Sequence, residues 1–175
     1  MDASANLYAY VVNNPINSND PLGLWRDPEH RRLIQLAMRS GTLFSQIDIE
    51  RVKRASLNVD KLSNQFDGAD HYMPGTEKEA EKLIRDAFEK AISYELAGQH
   101  ETSMDELGKG LHTLQDKFAH YEQMAGWLLH IPFLGTGPDD HKKHPARFKY
   151  AYVASIQFID EFLAQLAKRR AACED

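Results

Sequence analysis

Apolar residues recur at helical spacing through most of the chain, and the intervals between these stretches carry the turn residues. Leu33, Ile34, Ala37 and Met38 form one stripe behind Asp27, a good N-cap, and Pro28, which suits a first helical position, so a helix is predicted from there to about Arg39. A second helix is expected over about 45–57. A polar loop over 58–76 follows, rich in Asn, Asp and Gly, and it contains His71-Tyr72-Met73-Pro74-Gly75. The clearest helix spans 76–96. Ala80, Leu83, Ile84, Ala87, Phe88, Ala91 and Ile92 make its apolar face, Thr76 with Glu79 reads as a capping box, and Gly98 closes it. A fourth helix is expected over about 103–128, with Leu107, Leu111, Leu114 and Phe118 toward a core, and a last one over 146–171 through Phe148, Ala151, Tyr152, Ile156, Ile159, Phe162 and Leu166. The expectation is an all-α bundle of about five helices.

Two segments fall outside this pattern. Residues 6–17 read as a short strand followed by turns, and Asp20-Pro21-Leu22-Gly23-Leu24 then breaks the chain, as a linker from an upstream body would. Residues 127–138 are apolar but are interrupted by Pro132, Gly135, Gly137 and Pro138. Two readings of 127–134 stay open: a buried loop packed on the core, or the rim of a site that touches lipid.

Composition narrows the chemistry. A chain of 175 residues with ordinary apolar and charged content is long enough for one folded core. Its 21 basic and 26 acidic residues give a formal charge of −5, which leaves no footprint for a long nucleic-acid backbone without excluding a nuclease. The single cysteine, Cys173, removes disulfide frameworks and thiolate metal sites, so any metal must be held by His, Asp and Glu. No apolar run reaches the ~18 residues of a membrane span, and the N-terminus does not read as a signal peptide.

Eight histidines are present, and their placement is informative. His112, Asp116 and His120 each lie four residues apart. Four residues exceed one helical turn slightly, so the three side chains stack along one stripe. Imidazole and carboxylate donors on one face are ligands of the kind zinc takes, whereas the bland alternative is a solvated polar stripe. Gly108 and Gly110 in the same helix suggest close backbone approach by a neighbour. His30 alone reads as a surface histidine, and His100, in the connection before this helix, as exposed and without function.

Two resemblances give these residues roles. Asn6 to Leu24, about 19 residues reading NLYAYVVNNPINSNDPLGL, resembles the C-terminal end of the RHS-repeat core that carries polymorphic bacterial toxins. It implies that residues 1–24 end an RHS shell, that this chain is the tip of a much longer protein, and that the shell cleaves between Leu24 and Trp25. From Trp25 onward, the order of ligand-type residues resembles the zinc-dependent phospholipase C family and the related zinc-dependent single-strand nucleases. DHYMPGT (Asp70 to Thr76) and GLHTLQDKFAH (Gly110 to His120) are similar to phospholipase C, and the Trp25–His30 spacing is similar to the nucleases.

The resemblance implies two or three zinc ions. Asp60, His71, His112 and Asp116 would hold one, with Asp116 bridging to a second held by His30 and by the free α-amine and carbonyl of Trp25. His120 would belong to a third with His130 and either Asp139 or Asp140. The family's usual acid four residues after the later histidine is missing, since Leu134 follows His130 and Pro145 follows His141 at that interval, so His141 and His144 stay open as alternatives to His130. The implied reaction is phosphodiester hydrolysis, with Asp116 and Asp60 at the catalytic centre and Asp60 accepting the proton of the attacking water. Phospholipid is the expected substrate; single-stranded nucleic acid, or a metal-stabilised module without catalysis, are the alternatives. The expected setting is an antibacterial effector exported by a bacterial secretion system, type VI included, inside its RHS shell and met in the producing cell by an immunity protein.

Overall fold

The structure is a computed structural model, and it describes residues 27–39, 43–59, 68–73, 75–119 and 145–172. Within these, five helices and no strand occur: α1 (Asp27–Arg39), α2 (Gln46–Val59), α3 (Glu77–Leu96), α4 (His100–Ala119) and α5 (Pro145–Ala171). The all-α reading holds for the described residues: α2 starts within a residue of its expected position and runs two residues longer, α4 starts three residues earlier than expected, and the stretch of α4 expected beyond Ala119 lies outside the described residues. The extended segment and linker assigned to residues 1–24 lie outside the described residues, as does the 127–138 segment.

The helices bury the faces their periodicity specifies. α4 packs against all four other helices, most extensively against α2 and α3, so it forms the axis of the bundle. The main core joins Ile34, Ala37 and Met38 of α1, Ile49 and Val52 of α2, Ala91 and Ile92 of α3, Met104, Leu107 and Leu111 of α4, and Ile159, Phe162 and Leu166 of α5. Burying each large apolar side chain contributes about 1.5–3 kcal/mol. Phe88 packs edge-on against Phe158 and Phe162, with centroids 5.2 and 6.4 Å away. A smaller cluster of Leu33, Ala119 and Ala151, covered by Phe118, Phe148 and Tyr152, joins α1, α4 and α5. Arg51 ties α2 to α4 with a two-pronged contact to Asp105 at 2.9 and 2.7 Å. No helix among the described residues is long and apolar enough to cross a membrane.

The ends of α3 depart from expectation in one case and match it in the other. The capping box does not form: the Thr76 side chain makes no cap bond to α3. Its hydroxyl instead engages the Gly68 and Met73 carbonyls, at 2.9 and 2.8 Å, which ties the preceding loop shut. Leu83, expected in the core, is 37% exposed because it lies at the edge of the apolar stripe. At the other end Gly98 has φ +72, and the bonds Gly98 N to Glu95 O and Gln99 N to Tyr94 O complete a Schellman motif.

His100 opens α4 instead of lying in the connection before it. It is exposed, as expected, but it bridges two helices: Nε2 lies 2.9 Å from Asp48 Oδ1 and Nδ1 lies 2.8 Å from Glu95 Oε2. The hydrogen bond with Asp48 raises its pKa, outweighing partial burial, and Glu95 adds to the rise. A folded-state pKa above the unfolded value of ~6.5 means that this stabilisation is complete below that pH and fades as pH rises through the folded value. His100→Gln should therefore lower stability by less than about 1 kcal/mol at pH 6 and by less still in alkaline buffer. Urea melts at two pH values check this; a difference that grows with pH would contradict it.

Candidate metal centre

The centre is built on α4, where Leu107 and Leu111 fix which side of the helix faces inward. With that side fixed, His112 and Asp116 face the bundle interior, and both are fully buried. The solvated-stripe alternative is thereby excluded for these two residues. α1 brings His30, one turn before the buried Leu33 and Ile34, to the same place, and it too is fully buried. His30, which would read as a surface histidine if it stood alone, is buried because the inward face of α1 extends back into its first turn.

His71 arrives on a short tied loop. Tyr72 N and Met73 N bond back to Ala69 O and Gly68 O, at 3.2 and 2.8 Å. Tyr72 adopts a left-handed φ of 50, which costs an L-residue about 1–2 kcal/mol. It is held there by its hydroxyl, which donates to Glu81 Oε1 at 2.9 Å, and by Lys117, whose ammonium lies 2.5 Å from that oxygen and 5.4 Å from the Tyr72 ring centroid. Burial, reinforced by the bond to Glu81, raises the Tyr72 pKa, and the bond to Lys117 lowers that of Glu81 despite partial burial. One turn with one strained residue thus turns His71 inward, 99% buried.

The three imidazoles converge on the Asp116 carboxylate. Oδ2 lies 3.2 Å from His71 Nδ1 and 3.2 Å from His112 Nε2, and these two nitrogens are 3.3 Å apart. Oδ1 lies 3.2 Å from His30 Nε2. The His30 ring also stacks on that of His112, with centroids 4.3 Å apart. Burial alone would push the Asp116 carboxyl up, but the imidazoles of His112 and His30 outweigh it and hold the group well below the usual carboxylate range.

His30, His112 and Asp116 bring ligand atoms within 4.8 Å of one another, an arrangement able to hold a metal ion. The donor chemistry fits, since imidazole and carboxylate without thiolate suit zinc and its neighbours. The triangle of His71 Nδ1, His112 Nε2 and Asp116 Oδ2 fits as well. Zinc bonds of ~2.0–2.1 Å imply tetrahedral edges of roughly 3.3 Å, against the 3.2, 3.2 and 3.3 Å found here.

The sequence reading singled out all four of these residues. Leu24, Trp25, Asp60, His120, His130, Asp139, Asp140, His141 and His144 lie outside the described residues. Three further polar residues surround the cluster, and the sequence reading gave them no role. Ser56 Oγ lies 3.3 Å from His112 Nδ1, Gln115 Oε1 lies 2.8 Å from His30 Nδ1, and Gln115 Nε2 donates to Ser155 Oγ at 3.1 Å. All three are fully buried. Each interrupts an apolar stripe at helical spacing: Ser56 after Val52, Gln115 after Leu111, Ser155 between Ala151 and Ile159. A buried polar group on a core stripe needs a partner, and that was the available signal. No family model, curated protein or solved structure matches this chain.

Proposed function

We propose that residues 25–175 form a zinc-dependent phosphodiester hydrolase of phospholipase C type, the toxin domain of an RHS-carried effector. The observation that carries this reading is the two-sided use of one carboxylate. Asp116 turns Oδ2 to His71 and His112 and Oδ1 to His30, as a carboxylate bridging two ions does. His71 and His112 would hold one ion with Asp116, and His30 would share the second. When bound, the ions supply Lewis acidity toward phosphate oxygens and ease deprotonation of water near neutral pH. Asp116 keeps its charge at neutral pH, and its burial strengthens its attraction for a cation. The tied 68–76 loop and the α4 axis keep the donors in register. Trp25, Asp60, His120, His130 and Asp140 complete the ligand set in this reading, and Asp60 takes the proton of the attacking water. Cleavage between Leu24 and Trp25 would free the α-amine of Trp25, with the RHS shell and an immunity protein as partners.

Phospholipid is the proposed substrate, supported by the DHYMPGT words, the acidic balance and the apolar 127–134 segment. A second reading, a metal-stabilised binding module, is favoured by the complete burial of His30, His112 and Asp116, since structural zinc sites are closed. Head-group release from phosphatidylcholine vesicles, run beside cleavage of single-stranded DNA and RNA, separates the readings, using both full chain and chain starting at Trp25. The expected result is head-group release that a chelator abolishes and zinc restores, with a lower Tm after metal removal. Cleavage of nucleic acid alone would move the assignment to the nuclease branch. A metal-dependent Tm without turnover would identify the binding module, and absence of both effects would end the metal reading.

A further inference from the structure

We propose that Gln115 is a positioning residue for His30, and that Ser155 on α5 sets its polarity. The inference rests on the reading of this cluster as a metal centre. The Ser155 hydroxyl donates its one proton to Ala151 O, 2.7 Å away. Toward Gln115 it can therefore only accept, and it takes Gln115 Nε2–H at 3.1 Å. That fixes which end of the carboxamide faces α5 and turns Oε1 toward His30, 2.8 Å from Nδ1. A carboxamide oxygen only accepts, so His30 Nδ1 must carry a proton. In the neutral ring the lone pair then sits on Nε2, the nitrogen that lies 3.2 Å from Asp116 Oδ1 and would hold an ion.

The chain of direction thus runs from α5 through α4 to α1. Ser155, Gln115 and His30 are all fully buried, so water offers no ready substitute for a missing link. Metal-ligating histidines commonly donate their other N–H to such a partner, and loss of the partner weakens metal binding about 10–100-fold. A carboxamide held from its far side orients the ring as well as selecting the tautomer. α5, which supplies no ligand among the described residues, would in this way help decide how His30 binds.

The test uses the full chain with ¹⁵N-labelled histidine. Long-range ¹H–¹⁵N spectra of the metal-free protein in alkaline buffer report the tautomer of each ring; competition with a coloured chelator reports zinc affinity. The expected result is His30 as the Nδ1–H tautomer in the wild type, lost in Gln115→Leu together with about 10–100-fold of zinc affinity. Gln115→Glu keeps an acceptor toward Nδ1 while losing the donor to Ser155, and should retain the Nδ1–H tautomer. Ser155→Ala, the milder change should Gln115→Leu not fold, frees the carboxamide to turn over and should show mixed tautomers with a smaller loss. The proposal is overturned by His30 as Nε2–H in the wild type, by wild-type zinc affinity in Gln115→Leu, or by lost affinity with an unchanged tautomer. If the wild type binds no metal, the metal reading fails, while the tautomer still decides whether Gln115 directs His30.

Discussion

Asp116→Asn should abolish zinc binding and hydrolysis while leaving a folded chain. Asn keeps the shape of the side chain and one carbonyl oxygen, but it replaces the other oxygen with an NH₂ group and removes the charge. Both oxygens are in use, Oδ2 toward His71 and His112 and Oδ1 toward His30, so neither orientation of the amide preserves both sides. Outer partners of metal ligands are worth about 10–100-fold in affinity, and a shared ligand should exceed that, so a loss of more than ~100-fold is expected. Asp116→Ala is the harsher change. It removes the only carboxylate among the four converging side chains and opens a buried cavity, so part of its effect would be unfolding, on the order of 3–5 kcal/mol. Chelator competition and vesicle hydrolysis measured on Asp116→Asn, with circular dichroism to verify folding, decide the matter. Wild-type turnover in Asp116→Asn would remove the carboxylate from the mechanism.

The shared stripe of His112 and Asp116 was legible because helical periodicity is a local rule. Once Leu107 and Leu111 define an inward face, His112 and Asp116 must sit on an adjoining one, and spacing alone shows it. His30 was less legible: a histidine in a first turn can lie in or out, and only the packing of α1 against α4 and α5 buries it. His71 lies in a segment without periodicity, so its direction depends on Thr76 closing the loop and Tyr72 accepting a left-handed backbone. Neither feature has a sequence period. The error at Thr76 has the same source. A Thr three residues before a Glu matches the capping pattern, but the hydroxyl had nearer acceptors in the Gly68 and Met73 carbonyls, within a turn the pattern does not describe. Ser56, Gln115 and Ser155 were legible in principle, as polar breaks in apolar stripes, but which partners they take is set by tertiary contact.

Gly108→Val should be among the most damaging single changes outside the ligands. A Cβ at Gly108 would stand 2.5 Å from Val52 O, 2.6 Å from Ala55 Cβ and 3.0 Å from Ser56 N. Two of these atoms belong to the α2 backbone, so no rotamer change relieves the contact and α2 must move away from α4. Overpacking of this kind costs typically 1–3 kcal/mol and occasionally more, whereas the gain from replacing a helical glycine is under about 1 kcal/mol. Valine adds two further methyl groups at the point of closest approach, so a net loss near 3 kcal/mol, or a Tm lower by roughly 10 °C, is expected. The shift has a second consequence, because the displaced segment carries Ser56, which meets His112 Nδ1 at 3.3 Å. Zinc affinity should therefore fall in whatever fraction remains folded. Lys109→Val is the control for a valine in this helix: the same β-branched residue enters at the neighbouring position, whose side chain is half-exposed, without the collision. Scanning calorimetry of the two variants, with and without zinc, separates the effects. If Gly108→Val melts with Lys109→Val and binds zinc equally well, then α2 does not pass α4 at the distance described, and Ser56 does not depend on that approach to reach His112.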